Sequence, residues 1–457
     1  MKFDFSSDAR ASCIIFIIGI FFSLGIIMNP GYFSHDEISW GLKAIGSNNF
    51  NFSHVLSYND FHYRPLNFNL WLLLSHYFFD FPQLFHLIIL SWGLANSIIF
   101  YLVLIRLDFE RSSALIAAIV STIMPSIVFV NGWIGTIADI AWLFFCLISF
   151  LTYIIFRGVI GYFSSLLLFI MALMFKETAV VYPGIVFIYL VYERFSSKRT
   201  LAYFFSISAI FIIYIFLRYQ FLLSKDISGY NTSIYNIPER LLEYFIYPFL
   251  WGDIEIHGML STYSKLNLAL AFLFHCLFII LLCEKRLIGY FYYLSLYFVT
   301  SVPMLILSTS LPHYMYGAGF TMAISFSLLL KRGGGYKYFS CALLLLIFIH
   351  SVNVQMNFIK TGSFQNKMYT SIYSIIKESV GENNKVVDRC YLIYAEVGTP
   401  VWIAMRALYN INEINGIDIS GNKIRLYDDK IKDNDYLNGD CSILKMEKSG
   451  YIYEKNN

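Results

Sequence analysis

The sequence predicts an all-α polytopic membrane protein of about eleven transmembrane helices with a small soluble α/β domain at its C-terminus, and three observations predict it. The 457 residues are 58% hydrophobic and 14% charged, with a mean hydropathy of +0.60, where a soluble domain is about 45–50% apolar and 25% charged. Apolar runs close to the roughly 20 residues that a bilayer core requires recur as far as residue 358. Beyond that point the chain turns polar.

The runs fall near 11–28, 84–105, 114–130, 137–156, 160–175, 179–192, 201–217, 266–283, 290–308, 316–330 and 338–358. The first follows Lys2 and Arg10 as a signal peptide would, but no small-residue cleavage pattern precedes Asn29-Pro30-Gly31, so a retained anchor is expected. With the N-terminus in the cytoplasm, successive inner loops collect Arg106 and Arg111, then Arg157, then Arg194, Lys198 and Arg199, then Lys285 and Arg286, then Lys331, Arg332 and Lys337. Basic residues in every inner loop are what the positive-inside rule demands, and they set the orientation. The outside then receives a first loop (29–83), a tight turn (131–136), Lys176-Glu177, a second large loop (218–265), a turn (309–315) and the soluble domain (359–457), leaving 1–358 as the membrane domain. In the tail, 364–380 has a helical period, Lys385 to Tyr394 alternates like a strand, and 400–411 reads as a second helix. No internal repeat, low-complexity tract or inverted symmetry between halves appears.

Several functions are set aside at once. Without a basic domain, nucleic acid is not an expected partner. Nine scattered histidines and the absence of Cys/His metal spacing argue against a metal site, and no cofactor is implied. Cys390 and Cys441 lie in the polar tail, where an oxidising compartment would allow them to pair. Gly333-Gly334-Gly335 is a turn, since no Lys-Ser/Thr follows at phosphate-loop spacing.

Polar groups that remain gather at outer helix ends, and charge near a bilayer is costly enough for such convergence to suggest a site. Ser34-His35-Asp36-Glu37 precedes Ile38, Leu42 and Ile45 in a capping-box arrangement. Glu37 is then the cap, and Asp36, at the second helical position, stays ionised and is the better candidate for a general base. In His62-Tyr63-Arg64-Pro65, the proline disfavours helix at Arg64 and fixes it at a junction by the membrane surface, either as a lipid anchor or as a phosphate ligand. Lys176-Glu177 is either an interfacial ion pair or an ammonium aimed at a phosphate and oriented by its neighbour. Asp139, after Trp133-Ile134-Gly135-Thr136, opens a span where a carboxylate suits the helix dipole. Arg218 ends a span, and His313-Tyr314-Met315-Tyr316 follows Pro312 in a late outer turn.

An acidic pair after the first span, then Tyr63-Arg64-Pro65-Leu66, then Trp133-Ile134-Gly135 with Asp139, then Lys176-Glu177-Thr178-Ala179 before Pro183, then His313-Tyr314-Met315-Tyr316: in that order these motifs resemble the GT-C superfamily of polytopic glycosyltransferases, over roughly residues 10–330. By length, layout and composition the chain is similar to the bacterial serotype-converting O-antigen glucosyltransferases. The resemblance implies a polyprenyl-phosphate sugar donor, with undecaprenyl phosphate as carrier. It implies a lipid-linked glycan as acceptor and a multi-pass location in the bacterial inner membrane with a periplasmic C-terminus. A donor synthase and a flippase would be functional partners. It also implies Asp36 as base with Glu37 beside it, Arg64 and Lys176 near the lipid phosphate, and Arg218 as a further phosphate ligand. His62, Tyr63, Asp139, Glu177, His313, Tyr314 and Tyr316 would surround the substrates. Relatives often carry Arg-Tyr-x-Tyr where this chain begins the late turn with His313. Two rival readings are an O-antigen polymerase, which needs arginines in two large outer loops, and a lipid-sugar flippase, which needs charges deep within the spans.

Overall fold

The computed structural model describes residues 5–34, 37, 64–218, 232–250, 259–283, 287–378, 390–395, 413–414, 417–418, 423–427, 441–449 and 451–454. Asp36, His62 and Tyr63 lie outside the described residues, as does the expected helix at 400–411.

Helices dominate, and each of the predicted apolar runs coincides with one. Among the described residues five helices are long and apolar enough to cross a bilayer: Pro82–Arg106, Ile134–Ile155, Lys198–Leu217, Lys265–Cys283 and the apolar part of Gly334–Glu378. A sixth candidate is Arg111–Thr122 with Pro125–Gly132, two helices bent by 56° at the break before Pro125. Val159–Phe175 and Glu177–Tyr192 are shorter apolar helices. The helices Phe5–Phe22, Leu287–Ser301 and Tyr316–Lys331 occupy the other runs.

Prolines set many of the boundaries. Pro65, Pro82 and Pro125 each stand at the start of a helix, where the missing N–H is no loss and the fixed φ suits the first turn. Small side chains set the packing: Ala114, Ala117 and Ala118 are wholly buried, and their helix lies against Tyr316–Lys331, a close approach that small residues permit between membrane helices.

One boundary differs from expectation. The sequence suggests a span ending at 358 and a separate tail helix from 364, yet Gly334–Glu378 is one helix of 45 residues, about 68 Å at ~1.5 Å per residue. Lys360 to Ser363 change the polarity of the chain but include no proline, and the single Gly362 weakens a helix by only about 1 kcal/mol. That glycine also seats the helix on the first outer segment, because a Cβ there would collide with the Asn29 side chain.

The tail contributes a mixed sheet in the order Lys423–Tyr427, Cys390–Ala395, Cys441–Met446, Ile452–Glu454. The first three strands run parallel and the last is antiparallel. Cys390 and Cys441 are register partners on neighbouring strands. The expected strand is present, beginning at Cys390 among the described residues. Strand Ile452–Glu454 packs on the long helix, with Lys367 Nζ 5.1 Å from the centre of the Tyr451 ring.

Candidate functional site

The predicted outer helix ends meet in one cluster, built outward from Glu37. Its Oε2 accepts hydrogen bonds of 2.7 Å from the backbone N–H groups of both Phe33 and Ser34. The bond to Ser34 is the one a glutamate makes when it closes a capping box. Glu37 is buried, and that burial pushes its carboxyl up to about 8, outweighing the backbone N–H groups of Ser34, Phe33, Gly135 and Ile134 that favour the anion. Trp133 Nε1 donates to Ser34 Oγ at 3.2 Å, so the first outer segment is tied to the Trp133-Ile134-Gly135 turn.

From Trp133 the cluster continues through aromatic contacts. The His313 ring lies 5.4 Å from Trp133 and 4.3 Å from Tyr314, and the Tyr314 ring centre is 5.5 Å from Lys176 Nζ. Burial, and then the Lys176 and Arg64 cations, hold His313 well below the ordinary imidazole range. The residue that stands where the resemblance has an arginine is therefore a neutral ring set edge-on to Trp133 and Tyr314.

The ion pairs are not those that adjacency in sequence suggests. Lys176 does not pair with Glu177; it donates to both oxygens of Asp139, at 2.6 and 2.7 Å. Lys176 has extended backbone between Val159–Phe175 and the short helix Glu177–Val181, so consecutive side chains leave in opposite directions. Glu177 instead receives Arg64, through Nε at 2.8 Å and through Nη2. Arg218 Nη2 approaches Glu177 Oε2 at 3.8 Å, while its Nη1 donates to Tyr214 Oη at 3.1 Å. Arg64 precedes Pro65 in a non-helical conformation (φ −138°, ψ 60°), as the sequence predicts.

Exposure grades the cluster. The side chains of Lys176 and Asp139 are each 3% exposed, against 17% for Arg64, 13% for Arg218 and 24% for Glu177. A ligand arriving from solvent would meet Glu177 and the two guanidinium groups before Lys176, which is covered and paired with Asp139.

The same helices also line an apolar cavity of about 280 Å³, whose lining includes none of the five charged residues of the cluster. Leu143, one helical turn past Asp139, and Gly317, three residues past Tyr314, are among the groups at one end; Leu107 and Leu328 line the other. Gly317 to Leu328 spans about 16 Å of helix at ~1.5 Å per residue.

The structure thus brings together Glu37, Arg64, Asp139, Lys176, Glu177, Arg218, His313 and Tyr314. Tyr316 is set apart, buried in the bundle, where its Oη accepts from Asn96 Nδ2 at 3.0 Å. Asp36, His62 and Tyr63 lie outside the described residues. Sequence reading missed a second buried ion pair, in the segment between Lys198–Leu217 and Lys265–Cys283: Arg240 bonds Glu243, and its Nη1 also donates to Ser310 Oγ at 2.7 Å. The spacing of three in Ile237–Ile246, a helix with one strongly apolar face, could have pointed to it. Among the described residues no three His, Cys, Asp or Glu side chains gather as metal ligands would.

No known family model matches the chain, and no curated protein is recognisably similar to it.

Proposed function

We propose that this chain is an inverting glycosyltransferase. It moves a hexose, with glucose as the first candidate, from undecaprenyl phosphate to O-antigen or another cell-surface glycan on the periplasmic face of the bacterial inner membrane. In this reading all eleven apolar runs are spans, and the N-terminus is cytoplasmic. The observation that carries it is the meeting of Arg64 and Arg218 on Glu177, with the more deeply buried Lys176–Asp139 pair one helical turn from Leu143 in the lining of an apolar cavity. A lipid phosphate has the matching shape, an anionic head on a long apolar chain.

The chemistry follows from the charges. Three cations and two carboxylates leave this cluster with one net positive charge, and Glu177 holds both guanidinium groups in place before a ligand arrives. Each guanidinium offers five donors in a planar fork suited to phosphate oxygens. Asp36 removes the proton from an acceptor hydroxyl, the oxygen attacks C1 of the sugar, and the C1–O bond to the lipid phosphate breaks. The bonding electrons leave with the phosphate, where Arg64 and Arg218 stabilise the growing charge. A single displacement inverts C1. Buried Glu37 shapes the loop that carries Asp36.

The test is incubation of membranes containing the protein with labelled polyprenyl-phosphate sugars, following label into lipopolysaccharide. Transfer by the wild type, and its loss in Asp36→Asn protein that inserts normally, is the expected result. Absence of transfer from every polyprenyl-phosphate hexose would defeat the reading, and full activity in Asp36→Asn would remove that residue as base.

A further inference from the structure

At the same end of the bundle, on the other side of Tyr32 and Phe33, lies a second cavity that the proposed transfer chemistry does not use. Its volume is about 410 Å³, within the range of small-molecule sites. The first outer segment, the junction between helices Pro65–Phe78 and Pro82–Arg106, and the long helix wall it in.

The walls are fixed by hydrogen bonds. Tyr32 N–H donates to Gln365 Oε1 at 2.5 Å, and Tyr32 Oη donates to the Phe79 carbonyl. His86 Nε2 donates to the Gly31 carbonyl at 3.0 Å. The Tyr32 and Phe79 rings stack with centroids 4.8 Å apart. Three elements distant in sequence are therefore locked before any ligand binds, which lowers the ordering cost of binding.

The lining selects the chemistry. Buried Tyr32 and Phe79 make an aromatic floor, half-buried Tyr369 forms a wall, and Asp80, Asn366 and Thr370 stand exposed at the rim. Among the described residues no lysine or arginine lines the cavity, and Asp80 at its rim would repel a phosphate or carboxylate. An apolar chain would leave the rim groups without partners. A ligand with apolar C–H faces and many neutral hydroxyls satisfies both: the C–H faces meet the aromatic groups, and the hydroxyls bond the carboxylate, amide and hydroxyl at the rim.

We infer that this cavity is a binding site for a neutral saccharide unit. The inference goes beyond the proposed transferase and needs neither its chemistry nor its sidedness. If the transferase reading also holds, the site grips a sugar of the acceptor glycan away from the reacting hydroxyl.

Saturation-transfer NMR on the purified full-length protein in nanodiscs tests it, with glucose, galactose, rhamnose and N-acetylglucosamine as probes. At least one probe should bind the wild type, and Tyr369→Ala and Asp80→Ala should each weaken that binding tenfold or more. Asp36→Asn, aimed at the proposed transfer step, should bind as the wild type does even if transfer is lost, which separates this inference from the transferase. Because Asp80 is exposed, its variant is expected to keep the wild-type melting temperature, so lost binding there is not unfolding. Binding by none of the four sugars, or binding unchanged in both cavity variants, would overturn the proposal.

Discussion

Glu37 and Asp139 are both buried carboxylates, but among the described residues only Asp139 has a cationic partner. Asp139 is held by Lys176, whereas Glu37 has backbone N–H groups and a carboxyl pushed up to about 8 by burial. The folded protein keeps a proton that the unfolded chain, with an ordinary value of 4.5, releases. The stabilisation from Glu37 is therefore complete below about pH 4.5 and lost as the pH rises through about 8. Glu37→Gln retains the uncharged, hydrogen-bonding shape. Its thermal midpoint in detergent should fall less steeply between about pH 5 and about pH 8 than that of the wild type; parallel curves would show Glu37 to be ionised throughout. A neutral Glu37 beside an ionised Asp36 would divide two adjacent acids into structural and chemical roles. The capping role was legible because Ser34 and Glu37 are three residues apart, and a bond that short in sequence follows from helix geometry alone. The rise in the Glu37 carboxyl was not, since burial is set by tertiary neighbours and not by local spacing; the Trp133-Ile134-Gly135 turn that meets this segment is about a hundred positions away.

Between elements, the sequence located the charged groups but not their pairing. It placed Lys176 and Glu177 at a break between two apolar helices, as found, yet Lys176 crosses to the start of Ile137–Ile155 and Glu177 crosses to the start of Pro65–Phe78. Such partners depend on which helices become neighbours, and no local pattern encodes that. The Lys176–Asp139 pair fastens the break at 176 to the helix beginning near 137, and both side chains are out of reach of water. Removing one member strands a buried charge, at a cost of roughly 3–5 kcal/mol, while removing both does not. Asp139→Ala should therefore lower stability strongly, and Asp139→Ala with Lys176→Met should recover much of the loss in denaturation of the purified protein. Additive losses would mean that the two groups are not a buried pair, and Lys176 would then return as a direct phosphate ligand. The unbroken helix Gly334–Glu378 was equally illegible, because a change from apolar to polar residues marks the edge of a membrane and not the end of a helix.

For the molecule as a whole, the two ends of the bundle differ in chemistry. Asp8 on the first helix lies 3.3 Å from Arg111, Arg199 Nη2 donates to the carbonyls of Tyr153 and Phe156, and Arg332 Nη1 donates to the Leu281 carbonyl at 2.6 Å. Basic residues that the sequence assigns to different inner loops thus sit against the helix ends they were expected to flank. The opposite end carries the mixed-charge cluster around Glu177 and the saccharide cavity. Ser112 and Asn366 are both exposed, and the proposed orientation, with basic loops retained in the cytoplasm, puts Ser112 on the inner face and Asn366 on the outer. In a background lacking the native cysteines, Asn366→Cys should react with a membrane-impermeant maleimide in intact right-side-out vesicles. Ser112→Cys should react only after the vesicles are permeabilised. Labelling of both from outside would place the two positions on one face and remove the ordering of spans on which a periplasmic site depends. The reversed pattern would turn the Arg64–Glu177–Arg218 cluster toward the cytoplasm, where the proposed periplasmic acceptor could not meet it.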